Sequence, residues 1–177
     1  EMSAVPYNNV WSSDRDQINT RSGETPKFND PMLNKQWHYK NTGDETLVSP
    51  IKEGCDINVE PAWEFCTGDP SIIVAVMDEG VMYKHEDLAA NMWVNQAELN
   101  GQKGVDDDGN GYVDDVYGYN FAKDQGDITW TDPEDSGHGT HVAGTISAVN
   151  NNGIGVCGIA GGSGNNDGVK IMSIQIF

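Results

Sequence analysis

Two side chains capable of acid–base chemistry stand in distinctive contexts. Asp78 directly follows the apolar run 72–77, and the functional groups of open α/β sheets collect beyond the carboxyl ends of their strands. His138 lies in a glycine-rich segment that leads into a helical pattern. An imidazole can take the proton of a hydroxyl nucleophile, and a buried carboxylate can hold that imidazole in one tautomer. Because the two residues are far apart in the sequence, only the fold can bring them together.

A second group of candidate residues lies in an acidic stretch that begins Asp-Asp-Asp-Gly-Asn-Gly-Tyr. This order places oxygen ligands at positions 1, 3 and 5 of an EF-hand-type loop and glycine at position 6. The candidate ligands are the side chains of Asp106, Asp108 and Asn110, the carbonyl of Tyr112, and the carboxylate of Asp114 or Asp115. Position 12 is Tyr117 rather than Glu, so the loop is not a complete EF-hand. Hard oxygen donors at this density favour Ca²⁺, whereas the alternative is a hairpin turn with solvated acidic side chains.

The surrounding elements alternate between strands and helices, which predicts an α/β fold. The run 72–77 has the length and composition of a strand buried on both faces, which is typical of a parallel sheet. A weaker strand is predicted at 116–121, a helix at 138–149 and a further strand at 169–177. A short helix is predicted at 59–65.

The two motifs, in this order, resemble those of the subtilisin-like serine peptidases, the subtilases. Val-Met-Asp-Glu-Gly around Asp78 is similar to the aspartate motif of that family, and Gly-His-Gly-Thr-His-Val-Ala-Gly around His138 is similar to its highly specific histidine motif. The resemblance covers residues 29–177. It implies an α/β, three-layer fold with a mostly parallel central sheet, of which this chain is the N-terminal portion. Residues 1–28 are then an N-terminal arm or the remnant of a propeptide.

The resemblance implies a serine endopeptidase whose triad follows the chain order Asp, His, Ser. Asp78 would be the orienting carboxylate and His138 the base. The family's nucleophilic serine lies in a Gly-Thr-Ser-x-Ala-x-Pro context, which this sequence does not contain. We therefore expect the C-terminal remainder of the same precursor to supply the serine, and this chain alone to be inactive. The expected substrate is a polypeptide.

The resemblance also implies a second calcium site, which joins Asp87 to the loop after the histidine helix. Its implied ligands are the Asp87 carboxylate, the side chain of Asn151, and the carbonyls of Val149, Ile154 and Val156. The loop is one residue longer than in the best-known members of the family, so Asn152 is an alternative to Asn151. An Asn-rich helix C-cap would give the same pattern without a metal.

Two residues near the motifs raise separate questions. Glu79 stands where the family usually has Ser or Thr; a hydroxyl there would donate a hydrogen bond to Asp78, and an ionised carboxylate cannot. His141 is expected to face the core as a structural histidine. A zinc pair of His138 with His141 is the weaker alternative, because neither a His-Glu-x-x-His motif nor an obvious third ligand accompanies it.

The charge and the apolar content of the chain limit the classes of partner that it can bind. The formal net charge is −18, which argues against nucleic acid and anionic membranes as partners, and half of it lies in residues 106–135. No apolar run is long enough to span a bilayer.

The three cysteines have different expected roles. Cys55 and Cys66 flank the short helix and could form a disulfide in an exported protein. Cys157 is expected to be a small buried residue.

Together these features predict a calcium-stabilised serine endopeptidase that is secreted or attached to the cell envelope. Two alternatives are a non-catalytic calcium-binding interaction module of the dockerin kind and a pseudopeptidase scaffold that has lost its serine. The first alternative would need neither Asp78 nor His138.

Overall fold

The computed structural model describes residues 27–130 and 137–177 of the chain, so most of the predicted arm 1–28 lies outside the described residues. The strands are β1 (Ile73–Asp78), β2 (Gly118–Asn120) and β3 (Lys170–Gln175). The α-helices are α1 (Glu60–Trp63), α2 (Gln96–Asn100) and α3 (His138–Ser147), and 3₁₀ turns cover Leu33–Lys35 and Ala89–Asn91. Within the described ranges, no helix combines the length and the apolar content that crossing a membrane requires.

The three strands form one parallel sheet in the order β1-β3-β2. β3 pairs with β1 along its whole length, from Lys170 opposite Ile73 to Gln175 opposite Asp78. This arrangement confirms the predicted α/β fold and the predicted parallel pairing. Because parallel strands end at the same edge of a sheet, Asp78 lies at the edge where the carboxyl ends of all three strands meet.

Helix α3 packs on one face of the sheet through small side chains. Its buried residues Gly139, Ala143 and Ser147 recur every four positions, so they share one face of the helix. Ala143 belongs to a core cluster with residues of β1, β3 and the segment between them: Val76, Val81, Leu88, Met92 and Ile171. This core fixes the start of α3 next to the carboxyl end of β1.

The prediction that the strand at 72–77 is buried on both faces is wrong for the part of the chain that the structure describes. Val76 lies in the core beneath α3, whereas Ile73 and Met77 are 48% and 66% exposed. Burial alternates because α3 covers one face of β1 and no described element covers the other. The helix also ends earlier than predicted, since Ala148 has an extended backbone (ψ 143°).

A second apolar cluster joins the segment before β1 to the loop after α3. It contains Tyr39, Val59, Trp63 and Cys157, which are all buried. The Tyr39 hydroxyl donates a hydrogen bond to the Cys157 carbonyl (2.9 Å), and the Trp63 indole donates to the Ile159 carbonyl (2.8 Å). Cys157 is therefore buried, as predicted.

The disulfide that the sequence left open is not formed. Cys55 and Cys66 are exposed free thiols in the structure. The short helix between them is held instead by the packing of Trp63 and by its indole hydrogen bond.

Gly118 lies where β2 and β3 approach each other closely, and replacing it tests this contact. Its φ is +122°, and a Cβ atom there would lie 1.9 Å from the carbonyl oxygen of Ser173. We expect Gly118→Ala to lower the free energy of unfolding by more than about 2 kcal/mol in denaturant titrations. Gly104→Ala is the matched control, because Gly104 also has positive φ (+81°) but has open space around its Cβ position. Equal losses for the two variants would contradict the close approach.

Candidate active site

Asp78 and His138 meet where β1 ends and α3 begins. Asp78 is the last residue of the strand and is buried, and His138 is the first residue of the helix. Nδ1 of His138 lies 2.8 Å from Oδ2 and 3.0 Å from Oδ1 of Asp78. The structure thus brings together two residues that are 60 positions apart in the sequence.

This contact decides which imidazole nitrogen is reactive. An ionised carboxylate only accepts hydrogen bonds, so Nδ1 carries the proton and the neutral ring keeps its lone pair on Nε2. The side chain of His138 is 66% exposed and that of Asp78 is 12% exposed. The ring is therefore open to an incoming group while its carboxylate partner is shielded from water. Such a pair can accept a proton and stabilise the imidazolium that results.

Gly139 allows the helix to approach the turn after β1. A Cβ atom there would lie 2.4 Å from the carbonyl oxygen of Gly80 and 3.1 Å from Cβ of Asp78. At the next residue, the Thr140 hydroxyl accepts the backbone N–H of Met82 (2.9 Å). The start of α3 and the segment after β1 are therefore joined at several points around the histidine.

The backbone and the carboxylate of Glu79 have different hydrogen-bond partners. Its backbone N–H donates to Oδ1 of Asp78 (2.9 Å), while its carboxylate accepts the backbone N–H of His138. The departure from the family pattern at this position therefore creates a contact with α3.

The prediction that His141 faces the core is wrong, because its side chain is exposed. The core face of α3 carries Gly139 and Ala143, and His141 lies two positions from each, on the opposite side of the helix. It lines a groove of about 630 Å³. The zinc alternative has no support either: the group of potential metal-binding side chains found in the described residues contains no histidine.

The acidic loop folds around three carboxylates. Glu98, Asp108 and Asp115 each offer an oxygen atom, and these atoms lie within 4.8 Å of one another. Glu98 and Asp115 are only 6% and 7% exposed. Nδ2 of Asn95 donates to Asp108 (2.9 Å) and to Asp115 (2.7 Å). Nδ2 of Asn110 donates to the same two carboxylates, at 3.2 Å from Asp108 and 3.1 Å from Asp115. Two amides therefore face the same group of carboxylate oxygens.

This carboxylate cluster concentrates negative charge. Burial raises the pKa of Asp115, and the charges of Asp108 and Glu98 raise it further, against the hydrogen bonds from Asn95 and Asn110. Across the described ranges, no Lys or Arg forms an ion pair with the cluster. A set of hard oxygen donors without a protein cation fits a divalent metal ion.

Three other predicted ligands of the loop have different partners. The Asp106 carboxylate accepts hydrogen bonds from the backbone N–H groups of Gly109, Asn110 and Gly111, and these bonds lower the pKa of Asp106. Both oxygens of Asp114 lie 3.0 Å from the N–H of Gly104, so Asp115 rather than Asp114 faces the cluster. Tyr112 lies in the loop and donates its N–H to the Asn110 side chain (2.7 Å).

Glu98 is a residue that the sequence analysis missed. It belongs to α2, outside the acidic motif, and its two oxygens accept the N–H groups of Asp107 (2.7 Å) and Asp114 (2.9 Å). The available signal was the spacing Asn-x-x-Glu from Asn95, which is typical of a helix start. That signal predicts a cap, and it does not by itself predict a shared site with the loop.

The second predicted site lies where the loop after α3 returns to Asp87. Asp87 is 2% exposed, and its oxygens accept Nδ2 of Asn152 (2.8 Å) and the N–H of Val156 (3.0 Å). Burial raises the pKa of this carboxyl despite those bonds. The side chain of Asn151 instead donates to the Ser163 carbonyl (3.3 Å). The asparagine that contacts Asp87 is therefore Asn152, the alternative to Asn151 in the sequence analysis.

The other predicted ligands in this loop contact Asp87 and Asn152 through their backbone N–H groups. The N–H of Val149 donates to the carbonyl of Asp87 (2.8 Å), and the N–H of Ile154 donates to Oδ1 of Asn152 (2.7 Å). The loop thus wraps around Asp87 from the end of α3 to Val156.

Asp30 is a further carboxylate of this region that the sequence analysis missed. It is 5% exposed and accepts the N–H of Asn151 (2.7 Å). Its charge contributes to the raised pKa of Asp87, so the two carboxylates are electrostatic neighbours. Asp30 lies at the start of the region of resemblance, residues 29–177, and no motif around it indicated a ligand.

Comparisons with known proteins show the family to which this chain is related. A model of the subtilase family matches residues 69–177. Subtilisin-like protease 1 of Plasmodium vivax is 44% identical over 137 residues, which are 77% of this chain and 19% of that protein. Neuroendocrine convertase 2 of Bos taurus is 36% identical over 135 residues, which are 76% of this chain and 18% of that protein. The chain thus spans about a fifth of the length of these relatives.

Solved structures show the same likeness. The serine protease of Aeromonas sobria, in its complex with the chaperone ORF2, is 26% identical with a TM-score of 0.59 over 88% of this chain and 21% of that one. The structure of this protease by itself gives a TM-score of 0.53 over 85% of this chain. Because the family model covers more than half of the chain and includes both motifs, the chain belongs to the subtilase family.

Proposed function

We propose that the protein of which this chain forms a part is a calcium-stabilised serine endopeptidase. This chain supplies Asp78 and His138, and the C-terminal remainder of the precursor supplies the nucleophilic serine. The substrate is a polypeptide. The hydrogen bond between the Asp78 carboxylate and Nδ1 of His138 is the observation that carries the proposal.

The roles of the two residues follow from that bond. With Nδ1–H donated to Asp78, Nε2 of His138 takes the serine proton as the serine oxygen attacks the peptide carbonyl carbon. The same nitrogen then returns the proton to the leaving amine, so the ring ends the step neutral. Asp78 remains ionised throughout and stabilises the imidazolium. A positioned base of this kind contributes about 10²–10⁴-fold to the rate.

The serines that follow the acidic stretch support a nucleophile outside this chain. Ser147 and Ser173 are fully buried, and their hydroxyls are bonded to backbone groups. The Ser163 hydroxyl donates to Asp167 (2.7 Å). Ser136 lies outside the described residues, and its sequence context differs from that of the family's nucleophile. We therefore expect this chain alone to be inactive.

Two clusters of oxygen donors support the calcium part of the proposal. In the first, Ca²⁺ would be held by Glu98, Asp108 and Asp115, with Asn110 and the Tyr112 carbonyl at its side. In the second, the ligands would be the side chains of Asp87, Asp30 and Asn152 and the carbonyls of Val149, Ile154 and Val156. Bound Ca²⁺ would supply the positive charge that buried carboxylates require.

Secretion or attachment to the cell envelope is part of the same proposal. Loop sites that are assembled from separate segments suit the high calcium concentrations found outside cells, where modules bind Ca²⁺ at about 10⁻⁴–10⁻³ M. The excess of acidic residues agrees with a chain that carries bound cations, because each Ca²⁺ would neutralise two of its negative charges.

A fluorophosphonate probe tests the proposed activity on the full-length protein. Such probes react with a serine whose proton is taken by a histidine, so we expect one labelled serine in the C-terminal remainder, located by peptide mass spectrometry. His138→Ala should abolish the labelling, and heat-denatured protein is the control for non-specific reaction. A native protein that is not labelled would contradict the endopeptidase and favour the pseudopeptidase or the calcium-binding interaction module.

A further inference from the structure

Within the described residues, helix α3 receives no side-chain hydrogen bond from its own N-cap residue. The residue before it, Gly137, has φ +76° and no side chain, and the first turn contains no acidic residue. The first four N–H groups of a helix lack partners within the helix, and this end carries partial positive charge. Because His138 is the first residue of α3, fraying of this end would move the imidazole away from Asp78.

Glu79 supplies an acceptor to this helix from the end of β1. Its carboxylate accepts the backbone N–H of His138, and its own backbone N–H donates to Asp78. The ring of His138 donates to the same Asp78 carboxylate. The three residues thus form a closed cycle of hydrogen bonds between the end of β1 and the start of α3. In this cycle the ring of His138 is bonded to the last residue of β1, and its backbone is bonded to the residue that follows β1.

We propose that Glu79 is a positioning residue of the Asp78–His138 pair. Its carboxylate caps α3 from outside the helix, and this cap holds the backbone of His138 where Nδ1 reaches Asp78. A negative carboxylate at a helix N-terminus is favourable both as an acceptor and as a charge. The expected effect on turnover rests on the proposed function, whereas the expected effect on the helix start does not.

Glu79→Ser and Glu79→Gln separate the cap from other effects of the side chain. Serine is the residue type expected here from the family resemblance, so the variant should fold, yet its side chain is too short to reach the N–H of His138. Its hydroxyl can donate to Asp78 instead, so a fall in kcat in this variant reports the lost cap and not a loss of support for Asp78. Glutamine keeps an acceptor oxygen at the same reach and loses only the charge. Glu86→Gln is the matched control, since it removes one carboxylate charge from an exposed side chain seven positions further on.

The measurements are amide hydrogen exchange of His138, read by mass spectrometry at single-residue resolution, and steady-state kinetics of the full-length enzyme on a peptide substrate. For Glu79→Ser we expect exchange to accelerate about tenfold and kcat to fall about tenfold with little change in KM. Glu79→Gln should stay within about threefold of the wild type in both. Glu86→Gln should match the wild type.

Two outcomes would overturn the proposal: unchanged exchange of His138 in Glu79→Ser, or faster exchange with a wild-type kcat. Reactivity of the wild-type enzyme toward fluorophosphonate is measured on the same preparation. If the wild type is unreactive, the proposed function fails, and the exchange data alone then decide whether Glu79 caps the helix.

Discussion

Asp78→Asn should lower kcat of the full-length enzyme by about 10⁴-fold without changing its fold. Asparagine has the same shape as aspartate, but it offers Nδ2–H groups that favour the imidazole tautomer with its proton on Nε2. In that tautomer His138 cannot accept the proton of the serine. The measurement is kcat on a chromogenic peptide, with the thermal unfolding midpoint as the test of an intact fold.

His138→Ala and the double variant complete this experiment. Because the carboxylate acts through the imidazole, adding Asp78→Asn to His138→Ala should cost little more activity than His138→Ala alone. If the two losses multiplied, or if Asp78→Asn stayed within tenfold of the wild type, the pair would not act as one unit.

Removal of calcium is expected to produce the largest change in stability. A ligand present at about 1,000 times its dissociation constant stabilises the folded state by about 4 kcal/mol per site. For a domain of this size that corresponds to roughly 10 °C in the unfolding midpoint. We expect this loss in EGTA and its recovery with added Ca²⁺ in scanning calorimetry. A midpoint that is indifferent to EGTA would contradict both sites.

Matched pairs of asparagines and aspartates assign the loss to particular residues. Asn152→Ala should weaken calcium binding at the second site, whereas Asn151→Ala should not, because only Asn152 contacts Asp87. At the first site, Asp115→Asn should weaken binding more than Asp114→Asn, because Asp114 is occupied by Gly104. Calcium titrations followed by calorimetry would measure the dissociation constant for each variant. Equal effects of the two variants in a pair would contradict the ligand assignment for that site.

The parts of the molecule that depend on local sequence could be predicted. Strand β1 follows from a continuous apolar run, and the position of Asp78 at a strand end follows from the same run. The meeting of Asp78 with His138 followed from two motifs that occur in a known order. Each strand and each motif is specified by a short segment of the chain, and the known order of the two motifs supplied the expected contact between them.

Features that depend on contacts between distant segments could not be predicted. Glu98 joins the acidic loop from helix α2, and the path of the loop after α3 decides that Asn152 rather than Asn151 contacts Asp87. Met77 is exposed although it lies in an apolar run, because burial depends on which element covers that face of the sheet. His141 was misassigned because the face of α3 that meets the core is selected by the small residues around it.

The strand order has a consequence for the synthesis of this protein on the ribosome. β1 and β2 each pair with β3, which is the last of the three strands to be translated. Until Lys170–Gln175 emerges, β1 is an apolar segment with open edges, and such segments are prone to mispair with other chains. The acidic loop closes over short distances and can form earlier. The pairing of β1 and β2 with β3, which fixes Asp78 beside His138, therefore has to wait until all three of these segments have been translated.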